Sequence, residues 1–265
     1  LKNCMGLVFT NLIYSIVFII LTIKELITDK YDHDIDQFMY FGSRILHGEL
    51  IWTVEFDDKS PVVQYIFALP ATLKSTNVFV LITIIVSLAS AFLGYKMLKD
   101  LILNSELEIN KKAQNSIIYF GIILYLTTLV CIYGSLHHIN AISSSLCLIT
   151  IALTYFNRKP KNKLMTNISA ISSAIAISIR PYYFLNIIVL PLWLFIREKF
   201  NKNNNENYRI KTNSDYIRSQ INWVIIITLY IALFNLTPYL WTGNLSDFIY
   251  GIKLNSIDYV NHNIF

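Results

Sequence analysis

Asp34 and Asp36 stand near the head of the stretch 31–71, an acidic and aromatic-rich segment between two hydrophobic runs, and are the first candidates for chemistry in this chain. A carboxylate placed there can act as a general base, taking the proton from a hydroxyl beside a membrane-embedded substrate. At Asp36 it can equally cap a helix, and the residue type leaves both readings open. Cations that could receive a departing anion are Arg180, the one charge in a short turn between two apolar runs, and Arg44, two helical turns beyond Asp36. Arg180 can instead snorkel at an interface, and Arg44 can pair with Glu55, Asp57 or Asp58. His137 and His138 share a short turn, where they either hydrogen-bond a sugar or form a polar surface. Adjacent side chains seldom chelate one ion, and no metal is assigned.

These groups must be positioned by membrane helices. Of the 265 residues 54% are hydrophobic and 15% charged, with a mean hydropathy of +0.48, the composition of a chain solvated by lipid. Residues 5–23 carry no charge, and as a helix they rise roughly 28 Å, close to the hydrocarbon thickness. The run is longer than a signal-peptide core and no cleavage site follows it, so it reads as an anchor. Further apolar runs fall at about 77–95, 116–133, 139–156, 167–179, 183–196 and 221–236. The expected fold is all-α: a polytopic helical membrane protein of about seven transmembrane helices, with 1–265 forming a single transmembrane domain. The runs 167–179 and 183–196 are short and joined only through Arg180 and Pro181, so they are two spans or one broken pair.

Lysine and arginine in the connectors orient the spans. Lys96, Lys99, Lys111 and Lys112 lie in 96–115; Arg158, Lys159, Lys161 and Lys163 lie in 157–166; and 197–220 carries six such cations, which predicts a cytoplasmic face for all three connectors. The segment 134–138 has none, the turn after 179 has Arg180, and the tail after 236 has Lys253, so these are expected outside. Loop 24–76, with nine acidic against five basic residues, then also lies outside, and the N-terminus is cytoplasmic. The net charge of +5 is therefore a topology signal and no nucleic-acid footprint. The Asn-rich segment within 197–220 reads as a mobile cytoplasmic loop.

Within the outer loop, the catalytic segment in this reading, Asp36 to His47 reads as an amphipathic helix with Phe38, Phe41 and Ile45 on one face and Gly48 as its stop. Ser60 and Pro61 open a second short helix that runs to Leu73. Both are expected to rest in the interface as a shelf over the bundle, with Trp52 at headgroup depth. Two later spans are built of small residues, with Ser169/Ser173 and Ala170/Ala174 at four-residue spacing, a pattern of close helix packing or of a hydroxyl-lined passage. The spacing of Asp32, Asp34 and Asp36 would begin a calcium loop, but Gln37 and Ser43 stand where an EF-hand needs Gly and Glu. Cys4, Cys131 and Cys147 form no disulfide or metal-knuckle pattern.

Asp36-Gln37, Tyr40, Leu46, Gly48 and Lys59-Ser60-Pro61 resemble the first outer loop of the GT-C membrane glycosyltransferases, in the branch of protein O-mannosyltransferases and lipid A aminoarabinose transferases. There an Asp-Glu pair is followed by a Tyr, a Gly that closes the helix and a Lys-Pro-Pro-like element; here Gln37 replaces the second acid and Ser60 the first Pro. The likeness covers the first hundred residues best. It implies Asp36 as the base, with Asp34 beside it, and inversion at the anomeric carbon. It also puts Lys59 in the family's lysine position, joining Arg180 and Arg44 as candidates for the donor phosphate. Tyr40, His137 and His138 become candidates for sugar or acceptor contact. Some members use a divalent cation at the phosphate, and nothing in this sequence specifies one.

Nucleotide sugars are too charged to leave the cytoplasm unaided, so outer-face transfer implies a polyprenyl-phosphate-linked sugar as donor. The acceptor, whether lipid, glycan or protein, is not specified. The expected place is a bacterial inner membrane, within the cell envelope. Walker A, GxGxxG, HExxH and GxSxG patterns are absent from the sequence. The rival classes are a transporter or flippase, and a noncatalytic membrane subunit whose outer loop docks a partner. The chain begins at Leu1 and stops at Phe265 in a polar, aromatic stretch with no closing span, which reads as an incomplete copy or one module of a larger protein.

Overall fold

A computed structural model describes residues 33–54, 60–103, 111–132, 138–157, 162–186, 188–193 and 213–262, with isolated helical positions at 12, 16, 19, 20, 23 and 24. Every regular element among the described residues is helical. The segment 24–76, expected as the outer loop, contains α1 (His33–Ile45), α2 (Ile51–Val54) and α3 (Pro61–Thr72). The bundle is α4 (Thr76–Leu103), α5 (Lys111–Ile132), α6 (Ile139–Phe156), α7 (Lys163–Ile179) and α8 (Asn213–Asn235), with a 3-10 turn at Pro181–Phe184. Two helices follow, α9 (Thr237–Thr242) and α10 (Leu245–His262).

Among the described residues two helices, α4 and α6, are long and apolar enough to cross a membrane. Helix α7 has 17 residues because Pro181, which has no N–H and forces the preceding residue out of helical geometry, ends it at Arg180. Helices α5 and α8 open with polar turns that lower their hydropathy. The expected anchor 5–23 lies outside the described residues except at isolated positions. The basic connectors are shorter than expected. α4 runs on to Leu103, with Lys96 lying 4.4 Å over the Phe92 ring, and α5 begins at Lys111. Likewise 213–220, expected as loop, are the first turns of α8, and the rest of that loop up to 212 is outside the described residues.

Helix α4 is patterned inside out. Thr83, Ser87, Ser90 and Gly94 are buried, while Leu81, Ile85, Leu88 and Phe92 are exposed along one stripe. Ile221, Ile225, Leu229 and Leu233 form a similar exposed stripe on α8. Small and hydroxylated residues face inward, a pattern by which helices pack closely and hydrogen-bond to one another. Ser87 and Ser145 lie 3.1 Å apart, and Ser90 lies 2.9 Å from the Tyr125 hydroxyl. Helices α6 and α7 pair closely through Ser143, Ser145, Ala152, Ser169, Ala170, Ser173 and Ala174, all buried. Between these helices the Thr154 and Ser169 hydroxyls lie 2.8 Å apart, which favours packing over a passage.

The shelf is α1 laid on α3. Ile35, Phe38 and Phe41 are buried against Val62, Val63 and Phe67, with ring centroids 5.2 Å apart for Phe38 and Phe67 and 4.4 Å for Phe67 and Phe79. Helix α1 starts three residues before Asp36, so Asp34 and Asp36 sit within its first turn, where their charge complements the helix dipole. Gly48 stops the helix as expected, at φ +80°, a conformation that costs glycine nothing. Ser60 occupies the N-cap position of α3, but its hydroxyl makes no capping bond and is buried without a partner among the described residues.

Gln64 brackets the turn between α1 and α2. Fully buried, it donates from Nε2 to the Glu49 carbonyl at 2.7 Å and accepts the Ile51 N–H on Oε1 at 3.2 Å. Gln64→Leu keeps the volume and strands both backbone groups, so it is expected to cost about 2–4 kcal/mol. Earlier proteolysis of the outer loop and a lower unfolding temperature in detergent would register the loss.

The tail does not trail away after 236. Gly243, at φ +77°, separates α9 from α10, and Tyr239 and Phe248 gather around Trp52 of α2 with ring centroids 6.0 and 5.5 Å from it. The Trp52 N–H donates to the Tyr239 hydroxyl at 3.4 Å, and burial holds that phenol well above its usual range. The tail is thereby tied to the outer loop. Its helices have too little hydropathy for an apolar-run search to find them.

Candidate functional site

The candidate site is arranged around a single buried cluster to which α1, α3, α6 and α7 all contribute. Ile35, Ile139 and Ile179 belong to it, each about 2–3% exposed. Asp36 follows Ile35, His138 and Asn140 flank Ile139, and Arg180 follows Ile179. The shelf helix that carries Asp34 and Asp36 and the helix that ends at Arg180 thus contribute to one buried cluster. Asp34 and Asp36 are exposed on α1, and Tyr40 is 44% exposed on the same helix.

Arg180 is held by α6. With Pro181 next, it takes an extended conformation at the end of α7, while its N–H still donates to the Ala176 carbonyl at 2.9 Å. Its Nε donates to Asn140 Oδ1 at 2.5 Å. One helical turn further along α6, Ser144 lies 2.7 Å from the Tyr183 hydroxyl, so the proline break is fastened twice to the same helix face. A neutral acceptor on Nε leaves the guanidinium charge in place, and among the described residues no carboxylate pairs with it. Such an arginine presents its terminal nitrogens to an anion in the bidentate manner phosphate favours.

His138 is the N-cap of α6. Its Nδ1 accepts the Asn140 N–H at 3.1 Å, so one ring nitrogen serves the helix start. Arg44 pairs with Glu49, a partner not among those expected, and lies 5.6 Å over the Tyr40 ring. That pairing makes Arg44 a poor phosphate ligand, because an anion would have to displace Glu49. His137, Lys59 and the expected partners Glu55, Asp57 and Asp58 lie outside the described residues. No group of three metal-ligating side chains occurs among the described residues.

Three residues were missed in reading the sequence. Gln64 shapes the loop, Asn140 holds Arg180, and Asn235 at the end of α8 donates to Ser178 Oγ at 2.8 Å with its own Oδ1 buried and unpartnered among the described residues. Each is an amide set in or beside an apolar run, the signal by which they stand out. Compared with known proteins, the chain matches no family model, no curated protein and no solved structure.

Proposed function

We propose that the chain is a polytopic membrane glycosyltransferase of the GT-C type, moving a sugar from a polyprenyl phosphate to an acceptor on the extracytoplasmic face with inversion. Asp36 takes the proton from the attacking hydroxyl. Arg180 receives the phosphate as the glycosidic C–O bond breaks and negative charge develops on the leaving oxygen. Lys59 and Asp34 are the neighbouring candidates of like charge. A divalent cation at the phosphate is compatible with this chemistry, and no residue set is assigned to it. Seven spans with a cytoplasmic N-terminus, in a bacterial inner membrane, complete the reading.

The observation that carries it is the shared cluster of Ile35, Ile139 and Ile179, which supports bringing Asp36 and Arg180 to one end of the bundle. The inside-out patterning of α4 and α8 supports lipid as the surrounding solvent. Ser87 with Ser145, and Thr154 with Ser169, bond across helices, which supports packing over a transport path.

Membranes containing the chain, incubated with a panel of radiolabelled polyprenyl-phosphate sugars, are expected to move one label to an endogenous acceptor; no transfer from any donor removes the reading. In that assay Arg180→Gln is expected to lower kcat/KM about 100-fold, the scale for deleting one charge-stabilising donor. Arg180→Lys restores part of it by keeping the charge without the fork.

A further inference from the structure

Exposed apolar side chains do not stop where α8 ends. The stripe of Ile221, Ile225, Leu229 and Leu233 on α8 is followed by Leu240 and Trp241 on α9 and by Leu245, Ile249 and Ile252 on α10, all of them exposed. Trp241 is the most open of these, at 89%. Yet neither α9 nor α10 qualifies to cross a membrane. The six residues of α9 rise roughly 9 Å, and α10 carries Asp247, Lys253 and Asp258 within its 18 residues.

The side chains described on α10, 245–254, sort into three faces. Leu245, Ile249 and Ile252, at i, i+4 and i+7, form an exposed apolar stripe. Ser246, Tyr250 and Lys253 repeat that spacing one residue later and form a second exposed stripe of hydroxyl, phenol and ammonium. Phe248 and Gly251 make the inner face: the Phe248 ring lies 5.5 Å from that of Trp52, and a Cβ built at Gly251 would come within 2.4 Å of the same indole. Backbone pressed against a ring fixes the rotation of α10, so its two exposed stripes cannot exchange places.

A helix with one apolar and one polar exposed stripe suits the boundary between hydrocarbon and water. Continuity along the chain names the occupant of the apolar one. On α8 the same kind of stripe is the face that the membrane reading gives to lipid, and α9 begins two residues after α8 ends. Trp241 therefore falls just beyond the lipid-facing run, at the depth where indoles gather. Lys253, on the polar stripe, keeps its ammonium in water while its stem lies along the boundary.

We propose that α9 and α10 form an interfacial anchor on the bilayer surface at the end of α8, with Leu245, Ile249 and Ile252 among the acyl chains, Trp241 at headgroup depth, and Ser246, Tyr250 and Lys253 toward water. Through Trp52 the anchor sets the height of α2, and with it that end of the shelf, above the lipid. This placement rests on the membrane reading above and is independent of sugar transfer.

The test uses the full chain in liposomes, with its three cysteines replaced by serine and a spin label attached in turn to Leu245→Cys, Ser246→Cys, Ile249→Cys, Ile252→Cys and Lys253→Cys. All five positions are exposed, so the label displaces no packing. Collisions with oxygen, which concentrates in hydrocarbon, should dominate at 245, 249 and 252, and collisions with a water-soluble nickel chelate at 246 and 253, the ratio of the two differing severalfold between the stripes. Nickel access at all five positions overturns the proposal, as does oxygen dominance at all five, which would mean full insertion. Shielding of 245, 249 and 252 from both agents overturns it too, because a second copy or another protein then covers the stripe. Ile85→Cys and Leu229→Cys, labelled alike, separate the causes: if these are open to nickel the membrane reading falls as well, and if they meet oxygen alone while the tail meets nickel this inference falls by itself. In the chain with its own cysteines, Trp241→Phe should lower fluorescence quenching by lipids brominated near the headgroup and leave quenching by lipids brominated near the bilayer centre unchanged; the reverse, or no change in either, overturns the proposal.

Discussion

Asp36→Asn is expected to lower sugar transfer by about two to four orders of magnitude, the range for losing a positioned general base. The substitution keeps the shape and removes the basicity. Expression and thermal unfolding should be unchanged, because Asp36 is exposed on α1 while Ile35, Phe38 and Phe41 carry the packing of that helix. Asp34→Asn, two residues earlier in the same helical turn, is the comparison: a much smaller loss there assigns the base to Asp36, and a similar loss means the two carboxylates share the role. The same pair separates enzyme from transporter. In a transporter, lesions in the small-residue faces of α6 and α7 would outweigh any change in the outer loop, and Asp36→Asn would leave transport intact.

The largest expected effect on stability comes from Gly42→Ala. A Cβ built at Gly42 would sit 2.4 Å from the Phe67 carbonyl oxygen, and that atom belongs to the backbone of α3, so it cannot rotate aside. Helix α1 would have to lift off α3, opening the contact between Phe38 and Phe67. A cost of about 3 kcal/mol or more is expected, at the upper end for overpacking a close contact. Limited proteolysis should show early cleavage within the outer loop of this variant while α6 and α7 stay protected. Transfer should fall with the shelf, whereas an exposed substitution such as Tyr40→Phe, which leaves the α1–α3 contact intact, should not loosen it.

The helices and the outer shelf were legible in the sequence because both announce themselves by local pattern. Apolar runs located the middles of α4 to α8 but stopped eight residues short of the end of α4 and began eight residues into α8, while Phe38, Phe41, Gly48 and Pro61 outlined α1 and α3. What stayed hidden depends on contacts between distant positions. Gly42 reads as an ordinary glycine until Phe67 is brought against it, and Gln64 as an ordinary polar residue until it spans Glu49 and Ile51. Helices α9 and α10 were missed for another reason: among their described side chains burial falls at a few positions such as Tyr239 and Gly251, too few to raise an apolar run. Arg180 stood out by its solitude, but Asn140, the residue that aims it, lies forty positions away and could not be paired with it by inspection.

The central claim is that Asp36 and Arg180 serve one pocket on the extracytoplasmic surface. The most direct measurement joins Asp36→Cys to Arg180→Cys with a short, membrane-impermeant bifunctional maleimide added to intact cells, after Cys4, Cys131 and Cys147 are replaced by serine. The account predicts that both sites react from outside and that the doubly substituted chain becomes internally crosslinked. Reaction of only one site from outside, or of both without a crosslink, would contradict it.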